Sequence, residues 1–136
     1  MIYRQQWGPA RHAANAAFIA IQAARNGIDT QSFLNFANSF RGTYTGSVPA
    51  SSFYNSWSGY NDEIAWAAAW VAKATGAASD ISTAESIYNS MGMSSAGDYS
   101  WDDKKTGVQI LMYEITQKDS YKNTVSSNTN SLISSG

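Results

Sequence analysis

The stretch SWSGYNDEIAWAAAWVAKATG, residues 56–76, decides the fold class of this 136-residue chain. Residues 61–75 are rich in alanine, the strongest helix former, and Trp66 and Trp70 lie four residues apart on one helical face. Gly76 then supplies a residue that tolerates the left-handed backbone found at helix ends. The stretch therefore predicts a buried helix, with both of these tryptophans in the core.

Helical patterns recur along the rest of the chain, and strand-like alternation is limited to a weak signal at GTYTGSV. Ser82 and Glu85 have the spacing of a capping box and place one helix start just after Ser82. The further predicted helices span residues 9–25, 29–40, about 83–91, about 102–117 and 119–133. They form three hairpins with short polar turns, separated by longer aromatic loops. This pattern predicts an all-α fold, either a helical toroid or a solenoid.

The length indicates a single domain over residues 1–136, with residues 126–136 as a flexible tail because they are rich in serine and asparagine. A formal charge of −1 gives no electrostatic basis for binding nucleic acid or an anionic membrane. With no cysteine and a single histidine, His12, the chain lacks the usual ligands of a zinc site. We expect neither a metal nor a cofactor.

Two helix starts combine aromatic residues with paired carboxylates. The first is WSGYNDE, residues 57–63, and the second is YSWDDKK, residues 99–105. Acidic residues in a first turn interact favourably with the helix dipole, so a structural role explains the carboxylates without any ligand. The recurrence of the combination favours a second explanation, in which both loops meet at one end of the molecule. Indole rings and carboxylates would then line a groove that binds a polysaccharide.

The candidate sugar-binding residues of this groove are Trp57, Tyr60, Asp62 and Trp101. Glycoside hydrolysis needs two carboxyl groups on either side of the scissile bond, and Asp62 paired with Asp102 or Asp103 is a weak candidate pair.

A third candidate binding site is WGPAR, residues 7–11, at the start of the first predicted helix. It offers Trp7 and Arg11, four residues apart. A surface arginine beside a packing tryptophan is the alternative interpretation.

Three long segments carry a family resemblance: SFYNSWSGYNDEIAWAAAWVAKATG (52–76), YSWDDKKTGVQILMYEIT (99–116) and WGPARHAANAAFIAIQAARNGIDTQSFLNFA (7–37). Each resembles a segment of the glycoside hydrolase family nine endoglucanases, and together they cover most of the chain. The resemblance implies an (α/α)6 toroid, of which this chain is about half. It also implies inverting cleavage of internal β-1,4-glucosidic bonds of cellulose by a secreted enzyme. By the same resemblance, Trp57, Asp62 and Trp101 lie in the sugar-binding cleft.

The chain departs from this family in two respects. The Asp-Ala-Gly-Asp type motif that supplies the family's general base is absent, as is the Asn-Glu-Val type segment that supplies its general acid. The segment containing Trp7 precedes the segment containing Trp101, whereas in the family it follows. The chain therefore resembles a rearranged piece of such an enzyme, and its catalytic competence stays open.

Three functional hypotheses follow. The first is a fragment or relative of an endo-β-1,4-glucanase that retains part of the glucan cleft. The second is a non-catalytic β-glucan-binding module, and the third is a structural helical protein that self-assembles. A half toroid leaves apolar helix faces uncovered, which predicts either a homo-oligomer or a larger parent chain.

Overall fold

A computed structural model describes residues 30–41, 57–95, 97, 99–100 and 102–134 of the protein. Within these ranges the regular secondary structure consists of α-helices, and no strand is present. The helices are α1 (Thr30–Ser39), α2 (Asn61–Thr75), α3 (Ala78–Ser90), α4 (Lys105–Thr116) and α5 (Asp119–Ser134). The helix predicted over residues 9–25 and the GTYTGSV segment lie outside the described residues.

Helix α2 lies at the centre of the packing and contacts α1, α3 and α4. Its small alanines allow this close approach, because Ala67, Ala69 and Ala72 are fully buried on different sides of the helix. Trp66 and Trp70 were predicted to be core residues, but they are only partly buried. They pack edge to face at the margin of the core, with ring centroids 5.6 Å apart.

The α2–α3 hairpin turns at Gly76, which has a φ of 64° and donates its N–H to the carbonyl of Ala72. The predicted start of α3 is wrong, because the helix begins at Ala78 and the capping box of Ser82 and Glu85 is not used. The chain turns earlier, where the hydroxyl of Thr75 donates to Oδ2 of Asp80 at 2.6 Å. This contact joins the end of α2 to the first turn of α3.

The α4–α5 hairpin turns at Gln117, a non-glycine residue with a φ of 56°. Its N–H donates to the carbonyl of Tyr113 at 2.7 Å and closes the end of α4. Helix α5 then continues to Ser134, through most of residues 126–136. Whether this end of the helix is mobile stays a prediction.

The two complete hairpins pack with their first helices side by side. Helix α2 contacts α4, and each of them also contacts the helix that follows it in the chain. In an (α/α)6 toroid the first helices of successive hairpins are likewise neighbours, and the second helix of each hairpin lies outside them. Both first helices begin at the same end of the packing, which positions the loops that precede them next to each other. Among the described helices, none is long and apolar enough to cross a membrane.

Candidate functional site

We use the word rim for residues 57–60 and 99–104, the segments that precede α2 and α4, of which Trp101 is not described. The carboxylate of Asp102 joins the two segments. Its Oδ2 accepts the backbone N–H of Trp57 at 2.8 Å and that of Ser58 at 3.0 Å. The hydroxyl of Ser58 in turn donates to the backbone carbonyl of Asp102. The loop before α2 is thus held by a residue 45 positions later in the chain.

Asp62 makes the reverse contact, from α2 to the segment before α4. It lies in the first turn of α2, and its Oδ2 accepts the backbone N–H of Lys104, the residue that caps α4, at 2.8 Å. The side chains are deeply buried, with Asp62 1% exposed and Asp102 7% exposed. A buried carboxylate that accepts a backbone N–H makes a strong, charge-assisted hydrogen bond. The prediction that the two helix-start loops meet is therefore confirmed for these two aspartates.

Asp103 takes part in the turn that leads into α4. Its Oδ1 accepts the backbone N–H of Lys105 at 2.8 Å, and its Oδ2 lies 3.1 Å from the Nζ of Lys105. Ser100 completes the turn, because its hydroxyl oxygen accepts the N–H groups of Asp102 and Asp103 at 3.2 and 3.0 Å. All three aspartates proposed as weak catalytic candidates are thus bonded to backbone N–H groups. Their catalytic assignment stays a prediction.

Above this network the rim exposes aromatic rings. Trp57 is 82% exposed although its backbone N–H is bonded to Asp102, so the loop is held while the indole faces solvent. Gly59, with a φ of 83°, turns the chain from this loop into α2. Tyr60 is partly buried against the core, so its ring is less available than that of Trp57.

Tyr99 is a second exposed aromatic of the rim, which the sequence analysis did not single out as a binding residue. It is 61% exposed, and its ring centroid lies 6.1 Å from that of Trp66. The Nζ of Lys104 lies 5.7 Å from the Tyr99 ring centroid, within the range of a cation–π contact. The position of Tyr99 in the loop directly before α4 could have indicated its exposure, because an aromatic residue in a loop has no helix face on which to be buried.

Other predicted site residues lie outside the described residues: Trp7, Arg11 and Trp101. Their part in the rim stays a prediction. Within the described ranges, no cluster of histidine and acidic side chains is suited to hold a metal ion.

Gln109 is a buried polar residue that the sequence analysis missed. It is fully buried, and its Nε2 donates to the carbonyls of Met93 and Ser95 at 2.6 and 2.9 Å. Its Oε1 accepts the amide of Asn128 on α5 at 3.1 Å. One side chain thereby joins α4, α5 and the loop after α3. The available signal was a polar residue between the apolar Val108 and Leu111 in the helix predicted over about 102–117.

Comparison with known proteins gives a consistent result. The profile of Glycosyl hydrolase family 9 matches residues 29–135. Endoglucanase B of Cellulomonas fimi is 40% identical over 94 residues, which cover 63% of this chain and 9% of that protein. An endoglucanase of Phaseolus vulgaris is 38% identical over 113 residues, which cover 80% of this chain and 22% of the bean protein.

A solved structure of an endoglucanase from the termite Nasutitermes takasagoensis has a TM-score of 0.76 and 38% identity. The match covers 91% of this chain and 31% of the termite chain. It confirms the predicted all-α fold of (α/α)6-toroid type. The chain spans less than a quarter of the length of the two curated relatives, 9% and 22%.

Proposed function

The chain belongs to glycosyl hydrolase family 9, and from this premise we propose that it forms part of the glucan-binding cleft of an endo-β-1,4-glucanase. The proposed ligand is a β-1,4-glucan, either cellulose or a cello-oligosaccharide, and the proposed reaction of the whole enzyme is inverting hydrolysis of internal bonds. The names of the relatives support this substrate class, because they are endoglucanases. By the same family membership we propose an extracellular location.

The observation that carries the proposal is the exposed indole of Trp57 on a clamped loop. A pyranose ring has apolar C–H faces, which stack on an aromatic ring, and a hydroxylated edge that remains in water or bonds to polar groups. Because Asp102 holds the backbone N–H groups of Trp57 and Ser58, the loop is ordered before any ligand arrives. Binding then costs less conformational entropy than it would on an unrestrained loop.

The same hydrogen bonds argue for a binding role of this chain rather than a complete catalytic one. A catalytic carboxyl group must lie within hydrogen-bond reach of the substrate, whereas the side chains of Asp62 and Asp102 are only 1% and 7% exposed. Asp62, Asp102 and Asp103 all accept backbone N–H groups of the rim and of the first turn of α4. We therefore assign the catalytic acid and base to a longer parent chain, and this assignment is part of the proposal.

A titration with cellohexaose, followed by tryptophan fluorescence and calorimetry, tests the binding role. We expect saturable binding by the wild type, weakened at least about threefold by Trp57→Ala and restored in part by Trp57→Phe, which keeps a stacking ring. Far-ultraviolet circular dichroism checks that each variant is folded. Equal affinities of wild type and Trp57→Ala would contradict the proposal.

A reducing-sugar assay on carboxymethylcellulose tests the division between binding and catalysis. We expect no hydrolysis above background by this chain alone. Hydrolysis that is abolished by Asp62→Asn in a variant that still folds would instead make Asp62 a catalytic residue. The weak catalytic candidates would then replace the parent chain as the source of the acid or base.

A second candidate role, self-assembly, is favoured by one apolar surface between α2 and α4. A cavity of about 330 Å³ is lined there by Trp66, Trp70, Ile110 and Leu111, among others, and Ile110 is 51% exposed. We propose that a second copy or the rest of a parent toroid covers this surface. Size-exclusion chromatography with light scattering decides the homo-oligomer, because a monomer at all concentrations would exclude it.

A further inference from the structure

Tyr99 differs from an ordinary exposed aromatic residue in how its ring is held. Single exposed hydrophobic side chains are common on protein surfaces and need no functional explanation. The side chain of Tyr99 is 61% exposed, yet its ring packs against Trp66 and against Gly107 of α4. The fold therefore supports this ring while most of its surface stays open to solvent.

Gly107 makes room for the ring of Tyr99. A Cβ on Gly107 would lie 2.5 Å from Cε2 and 3.0 Å from Cδ2 of Tyr99, and 2.8 Å from Cζ3 of Trp66. A side chain at this position would therefore displace one or both rings. Glycine is among the weakest helix formers, and no positive φ requires it at this position within α4. What Gly107 provides is space for the two aromatic rings.

The backbone beside Tyr99 is fixed as well. The N–H of Ser100 donates to the carbonyl of Asp103 at 2.9 Å. The Nζ of Lys104 donates to the carbonyl of Ser100 and lies 5.7 Å from the centroid of the Tyr99 ring. Both the ring and the chain that carries it are thus positioned before a ligand arrives, which lowers the entropy cost of binding.

Lys104 supplies a polar group next to the exposed ring. An ammonium group has three hydrogen-bond donors, and the bond to Ser100 uses one of them. Sugar hydroxyls that project beyond a stacked ring can accept hydrogen bonds from the other donors. An aromatic ring beside a hydrogen-bond donor fits a ligand with an apolar face and a hydroxylated edge better than it fits a wholly apolar ligand.

Tyr99 and Trp57 lie on the two segments of the rim, and hydrogen bonds hold these segments together. The backbone N–H of Trp57 donates to Asp102, and that of Lys104 donates to Asp62. A glucan repeats one sugar unit along its length. Two exposed rings on segments that are fixed to each other can therefore each hold a unit of the same glucan chain.

We propose that Tyr99 is a further sugar-stacking residue of the rim and that Gly107 is the residue that positions its ring. This rests on the proposed function, because the ligand is the same glucan. Trp57 and Tyr99 hold two units of one chain, and Lys104 donates to a hydroxyl of the unit on Tyr99. Loss of either ring weakens binding without abolishing it, because the other contact remains.

Calorimetric titration with cellohexaose tests the role of Tyr99. Tyr99→Phe keeps the ring and should bind within about twofold of the wild type. Tyr99→Leu keeps an apolar side chain over Gly107 but has no stacking face, so it should weaken binding about threefold to tenfold. Ile110→Ala is the matched control, because Ile110 is an exposed apolar residue of α4 outside the rim, and it should leave the affinity unchanged.

A double-variant cycle tests the positioning role of Gly107. Gly107→Ala should weaken binding about as much as Tyr99→Leu, because the added Cβ displaces the ring. In the Tyr99→Leu background the same change should have little further effect. An equal loss of affinity in both backgrounds would show that Gly107 does not act through Tyr99. Circular dichroism checks that each variant is folded, and the two Tyr99 variants decide the role of Tyr99 without Gly107→Ala.

The outcomes separate this inference from the proposed function. Equal affinities of wild type and Tyr99→Leu would overturn the inference, while a loss in Trp57→Ala would still support the rim. A loss in Ile110→Ala as large as that in Tyr99→Leu would also overturn it, because the cavity between α2 and α4 would then hold the ligand. A loss in Tyr99→Leu with none in Trp57→Ala would support Tyr99 and contradict Trp57. A wild type that does not bind cellohexaose would overturn both.

Discussion

Asp62 holds the loop that precedes α4, and Asp102, which lies in that loop, holds the loop that precedes α2. Asp62, in the first turn of α2, accepts the N–H of Lys104 before α4, while Asp102 accepts the N–H groups of Trp57 and Ser58 before α2. The two contacts form a reciprocal clamp between neighbouring hairpins. Because one member of the clamp also fixes the loop that presents an exposed indole, the packing of the hairpins and the geometry of the proposed binding surface depend on the same hydrogen bonds.

The clamp predicts that replacing either aspartate with alanine lowers the free energy of unfolding. Asp102→Ala should lower the free energy of unfolding by about 2–3 kcal/mol, since it removes two hydrogen bonds to a charged acceptor and leaves part-buried N–H groups unpaired. Urea denaturation measures this loss. Asp119→Ala is the matched control, because Asp119 is an exposed acid in the first turn of α5 and should cost about 1 kcal/mol or less.

The double variant tests whether the clamp acts as a unit. We expect Asp62→Ala and Asp102→Ala to be non-additive, with a coupling free energy of about 0.5–2 kcal/mol, because the first break loosens the interface that the second contact joins. Strictly additive losses would mean that the two contacts are independent.

Gln109 carries the next prediction. Gln109→Leu fills the site with an apolar side chain of comparable size but removes the donor to Met93 and Ser95 and the acceptor for Asn128. We expect a loss of about 1–3 kcal/mol in the free energy of unfolding and faster hydrogen exchange in the loop after α3. A variant as stable as the wild type would show that these hydrogen bonds contribute nothing net.

Gly76 gives a prediction about the α2–α3 turn. Its φ of 64° is unfavourable for a residue with a Cβ, although a Cβ there would meet no atom within 4 Å. Gly76→Ala should therefore lower the free energy of unfolding by about 1 kcal/mol through backbone strain alone, and Gly76→Asn should cost less. Thermal unfolding followed by circular dichroism measures both variants. An equal loss in the two would point to another cause.

The helices were largely predictable because their signals are local. The alanine-rich run before Gly76 gave both ends of α2 correctly, and α5 begins at the predicted Asp119. The start of α3 was misplaced because Ser82 and Glu85 have capping-box spacing, and only the tertiary structure shows that Glu85 bonds to α5 instead. A rule based on residue spacing cannot detect a hydrogen-bond partner 33 residues away in the chain.

The types of residue that form the site could be predicted from the sequence, but the hydrogen bonds between them could not. Aromatic and acidic residues at two helix starts correctly indicated that the loops meet, yet nothing in the spacing shows that Asp102 bonds to the loop carrying Trp57. Trp66 and Trp70 illustrate the same limit. Helical spacing placed them on one face, but how deeply that face is buried depends on what packs against it.

The Glu85 contact predicts how stability depends on pH. The hydrogen bond from Lys118 lowers the pKa of Glu85 below its ordinary value of 4.5, as does the bond from Tyr121, while burial opposes them. A carboxyl whose pKa is lower in the folded state adds stability that is complete above its unfolded pKa. That stability is lost as the pH falls through the folded value. The contact should therefore stabilise the protein at neutral pH and lose this contribution progressively as the pH falls below 4.5.

Glu85→Gln isolates this contribution, because glutamine keeps an acceptor oxygen but cannot ionise. The difference in the free energy of unfolding between wild type and Glu85→Gln should be largest at neutral pH and shrink as the pH falls below 4.5. Urea denaturation at a series of pH values measures it, with Glu114→Gln as the control for a more exposed ion pair, that with Lys73. A difference that grows toward acid would reverse the sign of the pKa shift and show that the ion pair destabilises the fold.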